Sequence, residues 1–203
     1  SDMEQKAAGL KQGIYSPVCL DELKKARSST FKPFPPKNTW LEFDFSRYRD
    51  PDPQDINSAI KQTAEMMLYP PISNVGIKGF YRTAKEIEKW PDRFSDKQLR
   101  MFLFNIYIFI EVGGTGGGCF RYMYSRFLKE ACRITGNGSI DRASEMINES
   151  GRLFTETGLL FKDIESAGNI NNDIKSAVEK LKQAASIEEQ AYQLLLQNIP
   201  SLK

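Results

Sequence analysis

No histidine occurs anywhere in the 203 residues. Its absence excludes Ser–His and Cys–His nucleophile activation, His-ligated metals and imidazole acid–base chemistry within this chain. Cysteine is scarce: Cys19, Cys119 and Cys132 form an odd set without C-x-x-C spacing, which suggests neither a zinc site nor a disulfide framework. On one helix, Cys119 and Cys132 would stand roughly 20 Å apart along the axis, and a bridge needs Cα atoms within about 7 Å. Reduced thiols in a cytoplasmic protein are the expectation. Long apolar runs are missing as well. The densest, residues 101–112, is about 12 residues against the about 20 of a membrane span, and reads as a buried helix. The polar N-terminus carries no apolar signal segment; Ser1-Asp2-Met3 reads as a cloning remnant, with the native segment starting near Met3 or Glu4. Neither sign of charge dominates, with 28 basic residues against 26 acidic. That balance gives no reason to expect nucleic acid or a membrane as partner.

What is present is globular. Hydrophobic residues make up 40% and charged residues 27%, so the chain can fold around one core. Residues 1–50 read as an arm and connector. Ile14-Tyr15-Ser16-Pro17-Val18 is extended or strand-like, and a lone strand belongs to a sheet made elsewhere. Leu20–Arg27 is a short helix with Asp21 and Glu22 at its positive end. Five of the ten prolines then fall between Pro33 and Pro53, which excludes helix and central strand. Phe31, Phe34, Trp40, Phe43 and Phe45 are interleaved with them, as in an extended segment anchored by aromatics.

Residues 51–203 read as a helical bundle domain. Asp52-Pro53 caps a helix carrying Ile56, Ile60, Ala64 and Met67, which Pro70-Pro71 ends. A second helix spans about residues 77–90 and stops at Pro91. Ser95 and Gln98 form a capping box for a third, through Glu111. Phe102, Phe104, Ile106, Tyr107, Phe109 and Ile110 cover most of its circumference, predicting the central, enclosed helix. Next, Phe120, Met123, Tyr124, Phe127, Leu128, Ala131 and Ile134 make an apolar face opposite Arg121, Ser125, Lys129 and Arg133. Gly136-Asn137-Gly138 ends that helix. Ser139 caps another, with a stripe of Met146, Leu153, Leu160 and Ile164; Gly151 and Gly158 either break it or mark close crossings. The last carries Ile174, Val178, Leu181, Ile187, Ala191 and Leu194 and bends near Ser186. The fold class is all-α: an irregular bundle of about six helices preceded by an extended, proline-rich arm.

One constellation stands apart. Between two apolar helices lie five glycines in six residues, Gly113-Gly114-Thr115-Gly116-Gly117-Gly118, followed by Cys119, Phe120 and Arg121. The loop is not a Walker A motif, lacking G-K-[ST], nor a dinucleotide fingerprint, lacking a preceding strand. Two readings stand. In the first, the glycines serve only a tight reversal and close helix approach. Alternatively, Gly114, Thr115, Gly116, Gly117, Gly118 and Arg121 bind an anion with backbone N–H groups and a guanidinium fork. Glu111 is expected to pair with Arg121 or to accept loop amides. Cys119 as an activated thiolate, or Glu111 as a general base, is a third and weaker alternative. No catalytic residue, metal or cofactor is expected.

Three stretches together carry a resemblance. They are Leu20-Asp21-Glu22-Leu23-Lys24-Lys25-Ala26-Arg27, then Lys32-Pro33-Phe34-Pro35-Pro36-Lys37-Asn38, then Gly114-Thr115-Gly116-Gly117-Gly118-Cys119-Phe120-Arg121-Tyr122-Met123-Tyr124, running on through Phe127-Leu128-Lys129-Glu130-Ala131. The chain resembles the C-terminal half of the butirosin-biosynthesis H-type acyltransferase family, a helical domain of unknown function. The resemblance implies a papain-like N-terminal half, not included here, whose cysteine and histidine handle an acyl group. It also implies an acyl carrier protein or small acyl substrate as partner. The helical half would cover the catalytic one and contribute a glycine-loop contact to the acyl donor. The alternative is a purely structural or homo-oligomerisation module without a ligand.

Overall fold

The computed structural model describes residues 17–32, 35–113, 116–165 and 169–200. Among them there is no strand; the chain is all-α. Contacts divide it into residues 1–50 and residues 51–203.

In the first unit, α1 is Leu20–Arg27, acidic at its start and basic at its end, as the helix dipole favours. Ser28 closes it by donating its hydroxyl to the Lys24 carbonyl at 2.8 Å. The Arg27 guanidinium lies 5.2 Å from the centre of the Trp40 ring and donates to the Asn38 carbonyl. The strand expected at Ile14 to Val18 lies largely outside the described residues; Pro17 and Val18 are irregular. The aromatics expected as anchors lie at the surface. Phe31, Trp40, Phe43 and Phe45 are exposed, and Phe43 stacks on Phe45; Phe34 lies outside the described residues.

The second unit begins with α2, Pro53–Leu68. Asp52 Oδ1 accepts the N–H groups of Gln54 and Asp55, and Asp55 returns the bond to the Asp52 N–H. These bonds satisfy amides that a helix start leaves without partners. Ile56, Ile60, Ala64 and Leu68 are buried; Met67 only packs at their edge. Helix α3, Gly76–Ile87, is followed by a single turn, α4, Trp90–Arg93. Pro91 therefore opens a helical turn rather than stopping one, because a first-turn residue needs no N–H bond. Helix α5, Asp96–Tyr107, starts at the Ser95 and Gln98 capping box.

Two expectations about the interior need correction. Helix α5 buries Leu99 and Leu103 but leaves Met101 and Phe104 exposed, and Phe109 beyond its end is 73% exposed. The enclosed centre is instead the long pair α7, Gly138–Lys162, and α8, Ile170–Asn198. In α6, Arg121–Thr135, the buried residues are Ser125, Leu128 and Ala131. Phe120, Met123, Phe127 and Ile134 of the expected apolar face stay exposed. The helix turns this way because its inward polar groups find partners. Ser125 and Ser144 bond hydroxyl to hydroxyl at 3.0 Å, and Arg121 meets an acid on α8.

Gly136 ends α6 in the left-handed region, φ 70°. Asn137, not Ser139, caps α7, accepting the Ser139 N–H at 3.0 Å. Helix α7 runs unbroken through Gly151 and Gly158, and α8 through Ser186. The glycines mark close crossings: a Cβ on Gly151 would lie 2.9 Å from the Tyr122 ring. Two apolar clusters form, one around Ile60, Leu128, Ile147 and Leu195, the other around Leu103, Phe161, Ile174 and Leu181. Along α7 the change from one cluster to the other falls at Ser150, and along α8 at Glu188. The seam is polar.

Candidate functional site

The last turn of α5 widens into a π-turn, Ile108–Val112, closed by the Gly113 N–H on the Ile108 carbonyl at 2.7 Å. Such turns reposition side chains that a regular helix would carry elsewhere. Here Glu111 is the one aimed. Its Oε1 accepts the Gly118 N–H at 2.9 Å and the Thr155 hydroxyl at 2.8 Å. Thr155 lies 3.0 Å from the Tyr122 hydroxyl, so Tyr122, Thr155 and Glu111 form a chain. Of the two expectations for Glu111, accepting a loop amide is the one seen.

Gly114 and Thr115 lie outside the described residues. From Gly116 to Phe120, five successive residues have positive φ: 70°, 80°, 55°, 50° and 70°. Glycine takes such angles freely, but Cys119 and Phe120 each hold a conformation costing about 1–3 kcal/mol. The turn tolerates this because it is held on both sides. A Cβ on Gly118 would lie 2.9 Å from the Tyr122 ring and 3.0 Å from the Gly151 carbonyl oxygen.

Arg121, at the start of α6, turns inward. Its Nη1 donates to the Cys119 carbonyl at 2.8 Å, while Nε and Nη2 donate to Glu188. Its guanidinium carbon sits 3.7 Å from the Phe154 ring centre and 4.8 Å from that of Phe80. Glu188, 1% exposed, also accepts the Ser150 hydroxyl. A buried carboxylate persists only with such partners. The cation expected to complete the glycine loop thus belongs to an internal pair, and the loop's Gly118 amide to Glu111.

Beside this pair opens a pocket of about 430 Å³. Met67, Phe120, Met123, Phe127, Tyr124 and Tyr192 line it together with Arg121, Glu188, Thr63 and Cys119. Burial raises the phenol pKa of both Tyr124 and Tyr192, and the carboxylate of Glu188 adds to it. The Tyr124 hydroxyl is enclosed without a partner at bonding distance, although Thr63 stands near enough to oppose part of the rise. Cys119 is half-buried. No group of three Cys, Asp or Glu side chains among the described residues is placed to hold a metal ion.

The sequence reading missed Glu188, Ser150 and Thr155. Glu188 was legible: Leu181, Ala184, Ala185, Glu188, Ala191, Tyr192 and Leu195 share one helical stripe, so its carboxylate had to point inward. Ser150 and Thr155 gave no such signal, since small hydroxyls occupy either face of a helix.

No helix among the described residues is long and apolar enough to cross a membrane. No curated protein and no solved structure matches the chain. Residues 21–195, which take in most of α1, all of α2 to α7 and most of α8, match the family described as a domain of unknown function, DUF4872. The chain belongs to the DUF4872 family.

Proposed function

We propose that the chain is the non-catalytic helical domain of a papain-like acyltransferase of the butirosin-H type, seated against the half that carries the reacting cysteine and histidine. The observation that carries this reading is the exposed apolar stripe of Phe120, at the entrance to α6, with Met123, Phe127 and Ile134 on it. Three of the four, Phe120, Met123 and Phe127, lie within residues 114–131, the stretch that bears the resemblance, and the same three line the pocket. Exposed apolar patches of this kind mark interaction surfaces. The ionisable groups around it serve the fold: Arg121 and Glu188 hold each other, and Glu111 holds the loop. In this reading the glycine turn shapes the rim past which an acyl donor reaches the catalytic half.

Calorimetric titration of the chain with a separately prepared papain-like half tests the reading. Association in the micromolar range or tighter is expected, with Phe127→Asp weakening it at least tenfold while the unfolding midpoint stays within error. No association, or association indifferent to Phe127, would overturn it.

A second reading, homo-oligomerisation, is favoured by the separate exposed side chains Met101, Phe104 and Phe109. Sedimentation equilibrium of the chain and of a Phe104→Glu variant distinguishes the two: only self-association lost in the variant supports this reading.

A further inference from the structure

We propose that the pocket between α2, α6 and α8 is a binding site for an uncharged aliphatic chain, and that the buried Arg121–Glu188 pair makes it reject charged ligands. The inference deepens the reading above, on which it rests for the chain's role in acyl transfer. Three observations carry it.

The first is size. About 430 Å³ falls within the usual range of small-molecule pockets. At about 30 Å³ per water-sized group, it takes on the order of a dozen methylene-sized groups. The second is the lining. Met67, Met123, Phe120 and Phe127 offer unbranched thioethers and ring faces that adapt to a flexible chain. Tyr124 and Tyr192 present rings whose phenols stay neutral under burial.

The third is the charge pattern. Arg121 and Glu188 both line the pocket, nearly enclosed and bonded to each other. Arg121 also holds the Cys119 carbonyl, and Glu188 the Ser150 hydroxyl. An entering carboxylate would meet Glu188 beside Arg121, and an entering ammonium would meet Arg121. Either would lose its hydration without gaining an uncompensated partner. A neutral chain loses only its contact with water, gaining about 0.8 kcal/mol for each methylene buried.

The test is isothermal calorimetry of the purified chain with four probes that share a ten-carbon chain: 1-decanol, decanoate, decylammonium and S-decanoyl-N-acetylcysteamine. The expected result is one site for decanol and for the thioester, with decanoate and decylammonium at least tenfold weaker. Met123→Arg and Phe127→Arg change surface side chains, so they should fold normally, and each is expected to weaken decanol at least tenfold. Tighter binding of the thioester than of decanol assigns the site to an acyl donor. Equal affinity assigns it to a free aliphatic compound such as a lipid. Failure of decanol to bind, binding of a charged probe as tightly as decanol, or undiminished binding in both variants overturns the proposal. Because these titrations omit the papain-like half, a decanol site in a chain that fails to associate with that half would overturn only the acyltransferase reading.

Discussion

Removing either end of the Arg121–Glu188 pair leaves a charge enclosed without its counterion. Glu188 is 1% exposed and the Arg121 side chain 11%, so water does little to replace the missing partner. Arg121→Ala and Glu188→Ala are each expected to destabilise by about 3–5 kcal/mol, read from urea midpoints. Replacing both ends at once, Arg121→Met with Glu188→Leu, should recover most of that loss, since two apolar groups on the seam strand no charge. A double variant as unstable as the singles together would mean that the pair is not coupled. The glycines divide in a similar way. Gly118→Ala would place a methyl against the Tyr122 ring and the Gly151 carbonyl at φ +55°, whereas Gly116, φ +70°, has nothing within 4 Å. Gly116→Ala is therefore expected to cost about 1 kcal/mol through backbone strain alone. Gly118→Ala should cost more than about 2 kcal/mol, by strain and overpacking together. Equal losses at the two positions in thermal unfolding would contradict the close packing of the turn.

Among the helices, the ends were more legible than the faces. Asp52, Pro53, the Ser95–Gln98 box and Gly136 are local signals, and each acts in the structure where its chemistry predicts. Asp52→Ala should accordingly cost about 1 kcal/mol, measurable as a lower urea midpoint; an unchanged midpoint would show that the cap is redundant. Faces were harder to read. In α6 the apolar stripe suggested one inward side, but Arg121 and Ser125 point in and Met123 and Phe127 point out. Hydrophobic periodicity identifies which residues share a face, not which face finds a partner, and only the acid on α8 and Ser144 on α7 decide that. The same ambiguity made α5 look central, because it is apolar nearly all round yet packed on one side only. At the candidate site the turn stood out from its composition. Its consequences did not, because Glu188 lies 67 residues from Arg121 in the chain, a contact that no local pattern carries.

Across the whole bundle, two buried phenols tie stability to alkaline pH. Burial raises the pKa values of Tyr124 and Tyr192 above the ordinary tyrosine value. Below about pH 10 both phenols are neutral, folded or unfolded, and their full contribution is present. Above it the unfolded chain ionises first, so stability declines as pH rises toward the folded values. Tyr124→Phe removes a hydroxyl without a partner, and should be neutral or stabilising by up to about 1 kcal/mol at pH 7. It should also flatten the decline between pH 9 and pH 11 in urea unfolding; an unaltered slope would locate the alkaline sensitivity elsewhere. The Arg121–Glu188 pair and Glu111 are bound into the fold while Met123 and Phe127 stay exposed, the pattern on which the proposed partner-domain role rests. Turnover of an acyl thioester by the chain alone, by a papain-like half alone, and by the two mixed tests that role most directly. The account predicts no turnover by the chain, little by the half, and a rate at least tenfold higher for the mixture. Turnover by the chain unaided, or a half whose rate the chain does not change, would contradict it.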